Sequence, residues 1–247
     1  MVFDTVTIIA ILVAFALGGI LKGATGAGAP VVTIPVIAAF YDVRIAVIIM
    51  VVPNLLTNIG QLYQFRKTIL PSFFTVSFAL GGGIGAFIGT ILLANLSIKI
   101  LTLSVAFIVI IYILLKLIVP SWKLIYEKAT KLVFIMGAAG GVLQGAAGLS
   151  APISITFLNA MKLERNQFIP TISVYFGVMS IFQMPTLYYY DFLNFEIILA
   201  SLISTVVLLS FMPLGSWVAK SVSKENFDKI TLILLAFIAL RIIYLNL

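Results

Sequence analysis

The chain has 247 residues, of which 62% are hydrophobic and only 9% charged, and it carries a net charge of +7 with a mean hydropathy of +1.24. This composition excludes an ordinary soluble domain and predicts an all-α polytopic membrane protein, with 1–247 as a single membrane domain. Because cysteine and histidine are absent and the carboxylates fall in or beside predicted loops, we expect no cofactor, no metal site and no enzymatic activity.

Apolar segments follow one another in the same series in both halves of the chain. In the first half they are predicted at 6–21, 31–40, 45–63, 70–94 and 98–118. In the second half they are predicted at 132–145, 152–160, 168–188, 195–219 and 227–246. The series indicates two internal repeats, 1–119 and 131–247, joined by a basic cytoplasmic linker at 120–130.

One glycine-rich phrase occurs in each half. Residues 21–30 read LKGATGAGAP and residues 143–152 read LQGAAGLSAP, with six of ten positions identical. Each phrase interrupts an apolar run, and the run after it is only about 15 Å long as a helix, half of a ~30 Å hydrocarbon core. We therefore predict that each half is a broken re-entrant helical hairpin plus three transmembrane helices. Pro30 and Pro152 are expected in the first turns of the short helices, and Ser150 as an N-cap.

The distribution of lysine and arginine favours these hairpins over continuous spans. With hairpins, eleven basic residues fall on one side of the membrane and three on the other, whereas continuous spans divide the same fourteen seven and seven. For a protein of the cell (inner) membrane, the positive-inside rule then predicts that both termini lie outside the cytoplasm. Because three full spans per half is an odd number, the two repeats are predicted to be inverted. The positive-inside rule also explains the net charge, so no nucleic-acid partner is predicted.

Inversion is expected to bring the two glycine turns together near the midplane, where the positive N-termini of the short helices favour an anion. Lys22, whose repeat counterpart is Gln144, is the only basic side chain predicted near membrane depth. Snorkelling of Lys22 and close helix packing at the glycines are the alternatives to substrate contact. The candidate substrate-binding residues of the two phrases are Lys22, Gly23, Thr25, Gly26, Ala27, Gly28, Gln144, Gly145, Gly148, Leu149 and Ser150.

The third segment of each half adds polar residues that a lipid-facing helix would not choose. Asn54, Asn58 and Gln61 recur at helical spacing and share one face. Their amides can donate to the oxygens of an anion or offer carbonyls to a cation. Tyr175 and Gln183 are the corresponding candidates in the second half. Interhelical hydrogen bonding is the alternative role for each of these residues.

Three stretches resemble the TauE/SafE sulfite exporter family, also called the toluene sulfonate uptake permeases: 23–30 with Pro35, 53–61, and 145–152. The resemblance covers most of the chain. It implies a secondary transporter, exporter or uptake permease, of small organic or sulfur-containing anions such as sulfite, sulfonates, sulfoacetate or small carboxylates. The partners are then a small anionic substrate and the lipid bilayer. The residues leave coupling to an ion, H⁺ or Na⁺, and uncoupled uniport both open. An anion channel that uses the same converging helix ends is the alternative function.

Overall fold

A computed structural model describes residues 5–118, 123–221 and 224–246, and this part of the chain is helical, without a strand. The prediction of an all-α polytopic membrane protein is confirmed. Residues 120–122 of the predicted linker lie outside the described ranges. A 3₁₀ turn covers Arg66–Thr68, and the α-helices are α1 Thr5–Thr25, α2 Ala29–Phe40, α3 Val43–Phe65, α4 Ser72–Asn95, α5 Ile98–Ile118, α6 Tyr126–Ala147, α7 Ser154–Ala160, α8 Arg165–Tyr189, α9 Phe195–Ser221 and α10 Lys224–Asn246.

Seven described helices are long and apolar enough to cross a bilayer: α1, α3, α4, α5, α6, α8 and α9. Two of them exceed their predicted segments by the most: α1 continues through Gly23 to Thr25, and α6 begins at Tyr126 rather than near residue 132. The charged residues Glu127 and Lys131 end the apolar pattern, but they do not interrupt backbone hydrogen bonding. At 21 residues, α1 is about 31 Å long.

Each long first helix is followed by a short one, as the sequence predicts. α2 has 12 residues and lies antiparallel to α1, since the Thr33 hydroxyl donates to the carbonyl of Ala14. Pro30 lies in the first turn of α2, as expected. The expectations for Pro152 and Ser150 are wrong. α7 begins at Ser154 after a turn over 151–153, and its N-cap is Ile153, so α7 keeps only 7 residues.

The first helix of each half packs along the fourth helix of the other half: α1 lies against α9, and α6 against α4. Glycines permit this close approach. A Cβ atom on Gly23 would lie 2.0 Å from the carbonyl oxygen of Met212, and one on Gly85 would lie 2.1 Å from that of Ala138. Both pairs of helices are therefore in backbone contact, with no room for a side chain at these positions.

The third helices of the two halves, α3 and α8, pack against each other and run antiparallel. The contacts Asn54 with Ser180 and Gln61 with Ser173 show this, because residue numbers rise along α3 as they fall along α8. Antiparallel third helices are what inverted repeats require. The inversion of the two halves across the membrane stays a prediction.

The two ends of the bundle differ in charge. The end formed by the C-termini of α3 and α5 and the N-terminus of α8 carries Arg66, Lys67, Lys116 and Arg165; we call it the basic end. At the opposite end, Arg44 lies in the first turn of α3 and donates to the carbonyls of Leu93 and Leu96 at the C-terminus of α4.

Candidate functional site

Lys22 lies in the last turn of α1 and is only 1% exposed. Its Nζ donates to Oδ1 of Asn58 on α3, at 2.9 Å, and lies 6.0 Å from the centre of the Phe176 ring. Among the residues that the structure describes, no carboxylate pairs with it. The ammonium is therefore held by an amide oxygen alone, inside the protein.

Asn58 extends this contact across α3 to α8. Its Nδ2 donates to the carbonyl oxygen of Asn54 at 2.6 Å and to the Asn54 Oδ1 at 3.0 Å. The Nδ2 of Asn54 then donates to Oγ of Ser180 on α8, at 3.2 Å. All these side chains are buried. Lys22, Asn58, Asn54 and Ser180 thus form one hydrogen-bonded series, the central polar chain, which joins three helices.

Two glutamines flank the central polar chain, each about one helical turn along its own helix: Gln61 follows Asn58 on α3, and Gln183 follows Ser180 on α8. Gln61 accepts a long hydrogen bond, 3.5 Å, from Oγ of Ser173. Gln183 is 1% exposed, and neither its Nε2 nor its Oε1 has a hydrogen-bond partner among the described residues. Gln183 therefore retains its full capacity to donate and accept beside Ser180.

The second hairpin makes different contacts from the first. Gln144 occupies the position of Lys22 in the repeat, but its Oε1 accepts from the backbone N–H of Ser150, at 3.3 Å, within its own turn. Oγ of Ser154 donates to Oγ of Ser150 at 2.9 Å. The first hairpin thus reaches out to α3, whereas the second closes on itself. The described site is asymmetric although the phrases that build it are similar.

Both glycine turns use left-handed backbone, with φ of 84° at Gly26, 92° at Gly28 and 70° at Gly148. This conformation is open to glycine and strained for other residues. Without a Cβ atom, Gly26 fits against Ile169 of α8. Gly148 likewise fits against Ile34 and Val47. Each turn is therefore positioned by contact with the other half of the chain: Gly26 by α8, and Gly148 by α2 and α3.

The expectation that the two glycine turns meet near the midplane is wrong. The contacts between α3 and α8 set Ile169 of α8 level with Phe65 of α3. Gly26 lies against Ile169 and Gly148 lies against Val47 of α3, so the two turns are about eighteen residues of α3, or about 27 Å, apart along the helix axis. The reason is the length of α1 and α6, which carry both turns past the centre. The central polar chain lies between the two turns.

Other residues predicted at the site have packing contacts in the structure. Gly23 and Gly145 lie against backbone of α9 and α4. Tyr175 stacks on Phe78 with 4.0 Å between ring centres and donates to the carbonyl of Gly137. Thr25 donates to the carbonyls of Leu21 and Ala27 in its own turn. Ala27 and Leu149 are buried in the two turns. Substrate contact by these residues stays a prediction.

A cavity of about 360 Å³ opens beside the first glycine turn at the basic end. Its wall includes Thr25 and Gly28 of the turn together with Lys116, Asn159 and Arg165. A second cavity, about 260 Å³, lies at the opposite end between Asp42, Arg44 and Asp191. The two share no lining residue. Sequence reasoning counted Arg165 and Lys116 only as loop charges, and no local pattern marks them as cavity residues.

Fold and site define a multi-pass α-helical membrane protein with a buried polar centre between two broken hairpins. The model of the sulfite exporter TauE/SafE family matches residues 10–242, and the chain belongs to this family, whose members are membrane transporters of sulfite or related anions. No curated protein and no solved structure matches the chain.

Proposed function

We propose that this protein is a secondary transporter of small organic or sulfur-containing anions, such as sulfite, sulfonates, sulfoacetate or small carboxylates. The observation that carries the proposal is Lys22, a buried cation without a carboxylate partner in the described part of the chain. A charged ammonium at membrane depth is costly unless an opposite charge compensates it. An anionic substrate beside Lys22 supplies that charge.

The amides around Lys22 suit an oxyanion. Asn58 accepts from the ammonium on one side and is itself held by Asn54, and the unpartnered Nε2 of Gln183 can donate to an oxygen of the substrate. The amide oxygens of the same side chains suit a coupling Na⁺, and Lys22 itself suits a coupling proton. The midplane site of the proposal is therefore the central polar chain with Gln183, rather than the glycine turns.

The cavities favour a carrier over an anion channel. Each end of the bundle has its own cavity, and the residues of the central polar chain between them are buried. A channel requires a continuous path, whereas alternating access requires a closed centre that opens to one side at a time. The proposed mechanism is alternating exposure of the central polar chain to the two cavities.

Counterflow in proteoliposomes tests the proposal. Labelled sulfite, a sulfonate and a small carboxylate are compared in the native protein, in Lys22→Ala and in Lys99→Ala, which removes an exposed lysine in the first turn of α5. We expect saturable counterflow of at least one anion, lost in Lys22→Ala and kept in Lys99→Ala. Sodium and proton gradients, imposed separately, identify the coupling ion.

Conductive flux without counterflow would instead identify a channel. Equal counterflow in Lys22→Ala and the native protein would remove Lys22 from the site.

A further inference from the structure

The cavity at the basic end carries an exposed positive charge on its wall. Arg165, at the start of α8, and Lys116, near the end of α5, both line it. No carboxylate is among the described residues of its wall. The guanidinium of Arg165 on the wall of a concave, partly apolar volume concentrates anions there, because low-dielectric walls focus the field of a charge.

Arg165 also contacts the first hairpin directly. One Nη2 hydrogen is donated to the carbonyl oxygen of Gly23, at 3.0 Å, in the residue next to Lys22. The hydroxyl of Ser216 on α9 donates to the same carbonyl, at 3.1 Å. This carbonyl therefore keeps a partner when the guanidinium turns away from it.

Most of the donors of Arg165 remain available. A guanidinium has five N–H groups in a planar fork that matches the oxygens of a carboxylate or sulfonate. Only the bond to Gly23 is made with the described residues, and the side chain is exposed. Its other N–H groups are free to bind an anion that enters the cavity.

We propose that this cavity is an entry site, separate from the central polar chain, in which Arg165 holds the acidic group of an anion before it reaches Lys22. The cavity reaches inward to Leu21 and Thr25 on either side of that lysine in the chain. That the bound anion is a transported substrate rests on the proposed function. Anion binding in the cavity does not depend on it.

The absence of native cysteine allows a direct measurement of charge in the cavity. Asn159 lines the cavity and is exposed, so Asn159→Cys places a single thiol there. Its modification rates are measured with an anionic and a cationic methanethiosulfonate of similar size, in the detergent-purified full chain at low salt. We expect the anionic reagent to react faster, and methanesulfonate to slow the reaction.

The second substitution is made in the Asn159→Cys background. Arg165→Gln is expected to lower the ratio of anionic to cationic rates by about fivefold to tenfold, the size expected for one charge a few ångströms away, and to abolish protection by methanesulfonate. Arg165→Lys keeps the charge and is expected to keep most of the ratio. Ser216→Ala is the structural control, because it removes the other hydrogen bond to the Gly23 carbonyl without changing charge.

An unchanged ratio and unchanged protection in Arg165→Gln would overturn the entry site, and so would an equal change in Ser216→Ala. The readout needs no transport. Suppose instead that the native protein shows no counterflow, while the ratio of anionic to cationic modification rates and the protection by methanesulfonate are as expected. This result would reject the proposed function and leave the entry site standing.

Discussion

Gln183 is the most unusual single residue in the described part of the chain, because its buried amide has no hydrogen-bond partner. An unsatisfied buried amide costs about 1–3 kcal/mol of stability. It lies three residues after Ser180, so both occupy the same face of α8. Under the proposed function, a ligand that binds beside Ser180 during transport accounts for an unpartnered polar group in that position.

Replacing Gln183 separates stability from function. We expect Gln183→Leu to raise the thermal unfolding temperature in detergent, because it removes the unsatisfied amide, and to lower anion counterflow. Gln144→Leu is the matched control and is expected to lower the unfolding temperature, since the Ser150 N–H loses its acceptor. A destabilised Gln183→Leu would mean that the amide is satisfied in the native protein, and undiminished counterflow would exclude Gln183 from the site.

At the scale of helices and turns, glycine has two separate uses in this protein. In the hairpin turns, Gly26, Gly28 and Gly148 provide left-handed backbone. Along α4 and α6, glycines such as Gly85 and Gly89 allow backbones to touch. The first use positions the broken helices, and the second fixes the framework that holds them.

The turns are tested by Gly26→Val and Gly148→Val. Either substitution strains a left-handed residue, and the added Cβ would lie 2.4 Å from Ile169 Cγ1 or 2.9 Å from Ile34 Cδ1. We expect counterflow to be lost while the protein still inserts, as shown by its recovery from the membrane fraction. Gly177→Val, in α8 with open space around it, is expected to keep both. Full activity of either turn variant would reject this role of the turns.

The framework is tested by Gly85→Ala. A methyl group at Gly85 meets the Ala138 carbonyl of α6, so the helices must separate and the thermal unfolding temperature is expected to fall. Gly60→Ala in α3 is the matched control. No atom lies within 4 Å of that position, and alanine favours a helix over glycine by up to about 1 kcal/mol, so the unfolding temperature is expected to stay or rise. Equal effects in the two variants would show that α4 and α6 tolerate separation.

At the scale of the whole molecule, the two ends of the bundle are chemically distinct. The basic end carries Lys67, Arg165 and the larger cavity, and the opposite end carries Arg44 and Lys99. The positive-inside rule assigns the basic end to the cytoplasm. Under this assignment the larger cavity opens inward, and both chain termini lie outside.

This orientation is tested with single cysteines in the cysteine-free chain. An impermeant thiol reagent applied to intact cells is expected to label Lys99→Cys and to leave Lys67→Cys unlabelled until the cells are opened. Both lysines are exposed, so access decides the outcome. The reverse pattern would invert the orientation and turn the larger cavity outward. Labelling of both sites in intact cells would contradict their placement on opposite sides.

The sequence by itself determined the class of protein, the places where the helices break and the face shared by Asn54 and Asn58. These properties follow from hydropathy, glycine and proline signals and the helical period, all of which are local. The lengths of α1 and α6 were underestimated because charged residues and glycines ended the apolar pattern before the backbone helix ended.

Only the tertiary structure decided which partner each polar side chain takes. Lys22 bonds to Asn58, whereas its counterpart Gln144 bonds within its own turn, and Arg165 reaches a carbonyl 142 positions away. The positions of the two glycine turns along the axis of the helix bundle also depend on tertiary packing. The physical reason is register: the offset between helices distant in sequence is set by packing of whole faces, and no local pattern encodes it. At several glycines the neighbouring backbone comes so close that an added Cβ atom would lie about 2 Å from it.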